Sequence, residues 1–454
     1  MKNLELNILK IRFIKTPTFI LIIAIGAFIN LSIFKTYAVP SFARQTGLAC
    51  VACHTEFPEL NSFGRQFKLN GYTMTSIPTI DASNDSDINR LSLLSTSPIS
   101  VMAMASYSNV ATKVPAQQNN NIEFPQQLSL FCAGEITHHI GTFIQLTYDP
   151  QSGTIGLDNS DVRYSNHVSL VSKDLLYGIT LNNNPTVQDV WNTIPAWRYP
   201  YSTSGVAPSP SAATLTEGAL AGQVAGLGTY GLFNNLLYYE FSLYRSAPQG
   251  TTNPPDTTSE NILSGVAPYW RIALQHQFDK HYIMIGTRGM TANLFPKFPL
   301  NTSDPFDQYR DIGFDLQYEY MLPKSIITVH SSLIRETRSL SATYVSGGTD
   351  TVSSNLNSFK IDANIYFQKG IGLTVGYFNI NGNADKKYYS GNSNWKPDSN
   401  GSMFEITYLP WYNTKFSIQY VMYNKFNGQA NNYDGNGRNA SQNNTLYCLA
   451  WFSF

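Results

Sequence analysis

Residues 311–320 read DIGFDLQYEY, a stretch in which apolar or aromatic side chains alternate with polar or small ones. Successive side chains of an extended strand point to opposite faces, so this period of two predicts a β-strand with one apolar and one polar face. Four further stretches alternate in the same way, namely 237–244, 359–368, 404–408 and 415–420. A β-sandwich alternates too, so the period alone does not place the chain in lipid.

The links between the strand-like segments favour a membrane barrel. About sixteen such segments follow residue 97, and bacterial outer-membrane barrels have an even strand number, short periplasmic turns and long outer loops. Short links are predicted near 138–139, 172–173, 234–235, 279–280, 322–324, 368–369 and 410–411. Long polar links are predicted at 109–122, 150–158, 183–217, 246–261, 292–308, 336–356, 380–401 and 426–444. Short and long links alternate throughout, as such a barrel requires.

The end of the chain and its composition agree with this interpretation. The chain stops inside a strand that ends at the aromatic Phe454, and Cys132 and Cys448 fall on predicted lipid-facing sides as small apolar residues. Charged residues make up only 13% of the chain, aromatic residues also 13%, and mean hydropathy is −0.19. Beyond residue 34 no apolar run approaches the length of a spanning helix. We expect an all-β fold over residues 95–454, a transmembrane antiparallel barrel of about 16 strands.

The first 38 residues have the pattern of a signal peptide. Lys2, Lys10, Arg12 and Lys15 form a basic start, residues 19–34 are almost wholly apolar, and small residues surround position 38. The apolar run is short for a retained anchor, which needs roughly 20 residues. Removing residues 1–38 leaves 25 basic against 29 acidic side chains. This mildly acidic balance gives no basic patch for nucleic acid.

Residues 50–54 read CVACH, the C-x-x-C-H pattern of covalent c-type haem attachment. In that chemistry Cys50 and Cys53 form thioether bonds to the two vinyl groups of one haem, and His54 binds its iron. A bare C-x-x-C also occurs in redox pairs and half zinc sites, but the adjacent histidine argues against both. No second cysteine pair is present to complete a zinc site. We therefore expect one covalently attached haem c.

Residues 39–94 are expected to form a small, partly helical monohaem cytochrome domain before the barrel. Pro58 suits a first helical position, and Asn70-Gly71 suits a helix end. About fifty residues are too few to bury a haem in a core of their own. With an even strand number the segment starts on the periplasmic side, so it is expected to use the barrel wall as its missing core. The alternative is a tethered domain packed on its own residues.

Several side chains are candidates for further haem contacts. Met74 is the candidate sixth ligand, because thioether ligation raises the reduction potential; an apolar packing role is its alternative. His138 and His139 in a predicted periplasmic turn are less favoured ligands. Three cations near the motif could pair with the haem propionates, although a solvated or lumen-facing position is the favoured explanation for each, and they are Arg44, Arg65 and Lys68. Link 183–217 is rich in Trp, Tyr and Pro and is expected to fold into the pore.

The stretches FARQTGLACVACH (42–54), FPELNSFGR (57–65) and KLNGYT (68–73) together resemble a known family. They are similar to the outer-membrane cytochrome–porin fusions of iron-oxidising bacteria, in which a monohaem cytochrome precedes a roughly sixteen-stranded barrel. The resemblance implies oxidation of extracellular ferrous iron and transfer of the electron to periplasmic carriers, a c-type cytochrome or a copper protein. On that basis the chain would act as an electron-transfer oxidoreductase, with His54 as the iron ligand at its redox centre.

Two alternative functions stay open from the residues alone. The same conduit could serve another external donor or acceptor, or the chain could be a solute porin whose haem-bearing plug senses or gates. A serine-hydrolase triad, a phosphate-binding glycine loop and a metalloprotease helix are all missing from the sequence in the contexts they require.

Overall fold

The computed structural model describes residues 40–74, 77, 79–81, 92–150, 153–247, 261–297, 301 and 303–454. The predicted signal peptide, residues 1–38, lies outside the described residues. The described residues from Pro40 to Phe454 belong to one compact unit. No helix among the described residues is long and apolar enough to cross a membrane.

The structure is built mainly of β-strands. Its helices are α1 (Ser41–Thr46), α2 (Ser62–Leu69) and α3 (Ser341–Val345). Its strands are β1 (Thr79–Asp81), β2 (Ser92–Leu94), β3 (Ile99–Val110), β4 (Asn121–Thr137), β5 (Ile140–Asp149), β6 (Thr154–Leu170), β7 (Lys173–Asn182), β8 (Val224–Phe233), β9 (Leu237–Ser246), β10 (Ile262–Leu263), β11 (Ala267–Phe278), β12 (His281–Phe295), β13 (Asp307–Leu322), β14 (Ser325–Ser339), β15 (Ser353–Phe367), β16 (Ile371–Gly382), β17 (Ser399–Trp411), β18 (Thr414–Lys425) and β19 (Thr445–Ser453).

Sixteen of these strands form one closed antiparallel barrel. From β3 to β9 each strand pairs with the next, β9 pairs with β11, and the series continues from β11 to β19. Strand β19 pairs with β3 over Thr445–Ser453 and so closes the cylinder. Strand β10 only extends the edge of β12, and β1 and β2 form a separate two-stranded sheet. The predicted sixteen-stranded barrel is confirmed.

Burial in the barrel wall is the reverse of burial in a water-soluble sheet. On β13 the apolar Ile312 and Phe314 are 37% and 54% exposed, whereas Asp315 and Glu319 are 4% and 5% exposed. A β-sandwich would bury its apolar face and leave its carboxylates in water. An apolar outside and a polar, enclosed inside are the arrangement of a barrel that faces lipid. Cys132 also lies on the exposed outer face, as predicted.

The two ends of the barrel differ in the length of their links. We call one the short-turn end, with links 138–139, 171–172, 234–236, 279–280, 323–324, 368–370 and 412–413. The other is the long-loop end, with links 111–120, 150–153, 183–223, 247–266, 296–306, 340–352, 383–398 and 426–444. The predicted alternation is confirmed, with two corrections. The short link predicted near 410–411 lies at 412–413, because β17 runs to Trp411. The link predicted at 150–158 is only four residues long, because β6 begins at Thr154 and pairs with β5 from Asp149.

Two segments fill the barrel interior. Residues 40–74 carry the predicted haem motif and are called the haem segment for that reason, and residues 183–217 are called the inward loop. The expectation that the aromatic link folds inward is correct, since Trp191 has 0% exposure and packs against Leu69 and barrel side chains in one buried cluster. A polar inner wall therefore surrounds a packed interior.

Candidate cofactor site

The haem segment begins with two tight turns that bring the motif residues together. Helix α1 ends at Gly47, which has a φ of 69°. Residues Cys50–Ala52 then form a single 3-10 turn, and the backbone N–H of His54 donates to the Cys50 carbonyl at 2.9 Å. This turn keeps both thiols and the imidazole on one compact loop, as attachment to a single porphyrin requires.

Helix α2 packs directly against this loop. The helix begins at Ser62, and Asn61 caps it by accepting a hydrogen bond from the Gly64 N–H at 3.0 Å. The predicted start at Pro58 is therefore wrong. The Asn61 side chain supplies the hydrogen-bond acceptor that a helix N-terminus needs, so the helix begins at Ser62, four residues after Pro58. The predicted end at Asn70-Gly71 is correct. A Cβ on Gly64 would lie 2.1 Å from the Cys53 carbonyl oxygen, so glycine allows the helix to approach the motif.

Charged and polar contacts hold the haem segment inside the barrel near its short-turn end. Five of them join it to five strands of the wall, and they are Glu56 with Lys415 of β18 (2.6 Å), Glu56 with Thr407 of β17 (2.8 Å), Arg65 with Glu319 of β13, Tyr72 with Asp161 of β6 (2.8 Å) and Gln45 with the Ala133 carbonyl of β4 (2.8 Å). On β5, a Cβ at Gly141 would lie 2.1 Å from the Gly71 carbonyl oxygen, so the missing side chain of Gly141 lets the segment approach the wall closely. The segment thus packs on the barrel wall and not on its own residues alone.

The inward loop is bound to the same wall by buried ion pairs. Asp189 accepts from Arg271 of β11 at 2.7 Å, and the same guanidinium donates to Asp315 of β13 at 2.6 Å. Loop and haem segment also contact each other, because the Leu60 N–H donates to the Asn192 side chain at 2.9 Å. The two segments form a continuous plug across the interior.

A cavity of about 500 Å³ lies between the haem segment, the inward loop and the barrel wall. Cys50, Cys53 and His54 all line it. The other lining side chains include a group of apolar and aromatic residues, namely Phe42, Leu48, Phe57, Leu60, Phe67, Met102, Met104, Phe131, Phe143, Trp197, Tyr201 and Trp451. Tyr412 and Asn413 of the β17–β18 turn also line it, so the cavity is at the short-turn end.

The donor atoms at this cavity fit a haem. The His54 Nδ1 lies 3.3 Å from the Pro58 carbonyl oxygen, which can only accept, so Nδ1 carries the proton and Nε2 keeps its lone pair. Burial lowers the pKa of His54, although the Pro58 and Glu59 carbonyls oppose the shift, and this keeps the ring neutral. A neutral imidazole is the form that binds iron.

The thiols are in the form expected for thioether chemistry. No disulfide joins Cys50 and Cys53. Burial raises the pKa of Cys53 to about 11, with the neighbouring Cys50 adding to the shift, and burial also raises the pKa of Cys50. Within the described part of the chain no group of three His, Cys, Asp or Glu side chains is placed to hold a metal ion.

The predicted sixth ligand, Met74, does not line the cavity. It packs beside Phe67, Tyr72 and Ile77 in a small apolar cluster. Its ligand role stays a prediction. Two thioethers that the sequence analysis did not single out do line the cavity, Met102 and Met104, both buried on the inner face of β3. In the sequence they are only two of many apolar residues at alternate positions, which gives no signal for a ligand.

The three cations considered for the propionates have different surroundings. Arg65 pairs with Glu319 and Arg44 donates to the Ile99 carbonyl. Lys68 lines the cavity, where its ammonium donates to the carbonyl oxygens of Val187 and Asp189 at 2.7 and 2.9 Å. Burial lowers the pKa of Lys68 to about 7, with repulsion from nearby cationic charge adding to the effect. An anion in the cavity would favour the charged form of this amine.

The two histidines of the predicted periplasmic turn, His138 and His139, are exposed in the link between β4 and β5. His138 pairs with Glu135 at 2.9 Å, and His139 Nδ1 lies 3.1 Å from the Ser165 carbonyl. Neither lines the cavity.

Comparisons with known proteins give similarity of fold. No protein-family model matches the chain, and no curated protein matches it. The loop L8 deletion mutant of OmpT, an outer membrane protein of Vibrio cholerae, is similar with a TM-score of 0.47 and 10% identity, over 78% of this chain and 98% of that chain. The outer membrane channel DcaP of Acinetobacter baumannii has a TM-score of 0.44 and 10% identity, over 78% and 96%. The anion-selective porin from Comamonas acidovorans has 0.42 and 10%, over 78% and 98%.

Proposed function

We propose that this chain is an outer-membrane electron-transfer protein that carries one covalent haem c inside its barrel. The observation that carries the proposal is that a complete C-x-x-C-H motif faces a largely apolar cavity within a closed barrel with an apolar outside. When bound, haem c supplies reversible one-electron chemistry. A soluble cytochrome would need no such barrel, so the cylinder itself indicates electron movement across a membrane.

The residues of the chain have distinct tasks in this proposal. Cys50 and Cys53 hold the porphyrin through thioether bonds, and His54 offers Nε2 to the iron while Pro58 fixes the orientation of its ring. The apolar side chains of β3, β4 and β5 exclude water from the cavity, which favours the less charged, reduced state. Lys68 places its amine at the cavity wall, where an anionic group of the cofactor would favour the charged form of the amine.

The donor and the direction of flow follow from the resemblance to the cytochrome–porin fusions. Extracellular ferrous iron is the proposed substrate, oxidised at the long-loop side, and a periplasmic c-type cytochrome or copper protein is the proposed acceptor at the short-turn side. The position of the cavity at the short-turn end supports delivery of electrons to the periplasm, because short turns face that side in outer-membrane barrels.

A solute porin with a haem-bearing plug is the second candidate, and the porin-like barrel favours it. The interior argues against an open channel. Contacts from the haem segment and the inward loop reach strands on opposite sides of the barrel, including β6 through Tyr72, β13 through Thr193 and β18 through Glu56. A hydrated path for solutes would require this packing to open.

One experiment separates these functions. The full mature chain is purified in detergent and divided into two samples. One sample is denatured to test that the haem stays attached. The other is kept native and mixed with ferrous iron while visible absorbance is recorded. The proposal expects covalent haem that ferrous iron reduces, together with low solute flux through proteoliposomes. Covalent haem with high solute flux and no reduction by ferrous iron would favour the porin, and a colourless protein would contradict both haem functions.

A further inference from the structure

We propose that a column of six aromatic side chains carries electrons between the long-loop end and the cavity. The aromatic column consists of Tyr201, Tyr199, Phe378, Tyr423, Phe426 and Tyr433. This inference rests on the proposed electron-transfer function and specifies the route through the barrel.

The lower part of the column begins at the cavity. Tyr201 lines the cavity, and its ring centroid is 5.7 Å from that of Tyr199, edge to face. Tyr199 is buried in one cluster with Phe378 of β16 and Met403 of β17. Tyr201 packs against the same cluster, so the inward loop joins the cavity to the barrel wall without an intervening polar layer.

The upper part continues to the long-loop end. The ring of Phe378 is 5.7 Å from that of Tyr423 on β18, and Tyr423 is 4.9 Å from Phe426. Phe426 is in turn 4.8 Å from Tyr433, which belongs to the 426–444 link. The Tyr423 hydroxyl donates to the Pro208 carbonyl of the inward loop at 3.3 Å, so this ring lies on the interior side of the wall.

The column connects the cavity with the long-loop end. Lys415, whose ammonium lies 5.4 Å from the centroid of the Tyr201 ring, and Tyr423 are eight residues apart on β18. At about 3.3 Å per residue this is roughly 26 Å along the strand, or about 20 Å in height at the usual tilt of a barrel strand. The apolar band of an outer-membrane barrel is about 25 Å tall. A single cofactor at the short-turn end therefore needs a route of this length to meet an external donor.

The electron balance is simple. One electron leaves a ferrous ion at the long-loop end, giving a ferric ion, and reduces the cofactor at the cavity by one unit of charge. No bond forms and no proton moves. In this route the rings bridge the distance and are not themselves oxidised. Among the described residues the Tyr199 hydroxyl has no hydrogen-bond partner to take its proton. Burial raises the pKa of Tyr199 well above the usual range, and it does the same for Tyr201, whose hydroxyl lies 3.5 Å from the Glu59 carboxylate.

The test measures the rate of cofactor reduction from the outside. Full-length protein is reconstituted in proteoliposomes, and ferrous EDTA, which is excluded from the interior, is added to the long-loop side. We expect Tyr423→Leu and Phe426→Leu to slow reduction at least about tenfold, equivalent to about 1.4 kcal/mol in barrier. Tyr423→Phe keeps the ring and should match the native rate. Phe306→Leu removes a ring of the same end that packs on Phe295, off the column, and should also match it.

The outcomes distinguish the column from the proposed function. Native-like rates in both leucine variants, with unchanged haem spectra, would overturn the column. Slow reduction in Tyr423→Phe would also overturn it, because a ring would then not be what matters. If ferrous EDTA reduces the native protein but free ferrous iron does not, the iron assignment fails and the column is still tested. Dithionite added after detergent lysis reports the total reducible haem in every variant and identifies any variant that fails to fold.

Discussion

The haem segment and the inward loop occupy the same interior but differ in how their roles are encoded. The haem segment carries a contiguous motif, and one 3-10 turn presents both of its thiols and its imidazole. The inward loop has no such motif, yet its ion pairs are buried like those of the haem segment. Arg198 and Glu217 are 2.6 Å apart, and Asp189 is bound to Arg271. Chemistry in this protein is local in sequence, whereas the packing that encloses it is not.

The largest difference between the two segments is expected when the thiols of the haem segment are removed. Replacing both Cys50 and Cys53 by alanine should abolish covalent haem, because no thiol remains to form a thioether, while the inward loop keeps all its contacts with the wall. The measurement is visible absorbance of the protein after denaturing electrophoresis. Replacing Cys132 and Cys448 together is the matched control and should leave the haem in place. Persistent colour in the Cys50/Cys53 variant would contradict the assignment of the motif.

A substitution in the inward loop should lower the free energy of unfolding and leave the covalent haem in place. Asp189→Ala leaves the buried Arg271 with Asp315 as its one carboxylate partner, and removing one member of a buried pair costs about 3–5 kcal/mol. We expect unfolding in detergent, followed by tryptophan fluorescence, at clearly lower denaturant concentration, with covalent haem retained. Asp174→Ala removes an exposed carboxylate paired with His167 and should cost less than about 1 kcal/mol. Equal effects of the two substitutions would show that the loop is not held as described.

A pH series sharpens the same contrast. Burial alone would raise the pKa of Glu217, but Lys360 and Arg198 outweigh it and hold this pKa well below its usual range. A carboxyl with a depressed folded-state pKa contributes stability above its unfolded pKa of about 4.3 and loses it as pH falls toward the folded value. Glu217→Gln should therefore destabilise at neutral pH, and its deficit should shrink below about pH 4. A deficit independent of pH would contradict the ionic role of Glu217.

Much of the barrel could be predicted, because apolar and polar side chains alternate within each strand, and this pattern can be recognised in each strand separately. The long links were also predictable from composition, apart from 150–158, where polar residues belong to the start of β6. The seating of the inward loop could not be predicted, since Asp189 and Arg271 are 82 residues apart and nothing local couples them. Cavity-lining side chains were missed for the same reason: Met102 and Met104 look like any inner-face residues of β3.

The smallest effect concerns the haem's second axial position. Met→Leu is close to volume-conserving and should cost less than about 1.5 kcal/mol in stability, so a spectral change can be assigned to ligation. We expect Met102→Leu or Met104→Leu to remove the weak iron–thioether band of the oxidised protein and lower its reduction potential, because both thioethers line the cavity. Met74→Leu is the matched comparison, since Met74 packs outside the cavity. Loss of the band only in Met74→Leu would restore the sequence prediction.

The closure of β19 on β3 has a consequence for the order of biogenesis. Strand β3 follows the haem segment in the chain, and its pairing with β19 seals a cylinder around the thiols of Cys50 and Cys53. On the proposed function, the maturation machinery must join porphyrin to polypeptide while the exported chain is still unfolded in the periplasm. Once the cylinder has folded, a motif that lacks haem can no longer receive it.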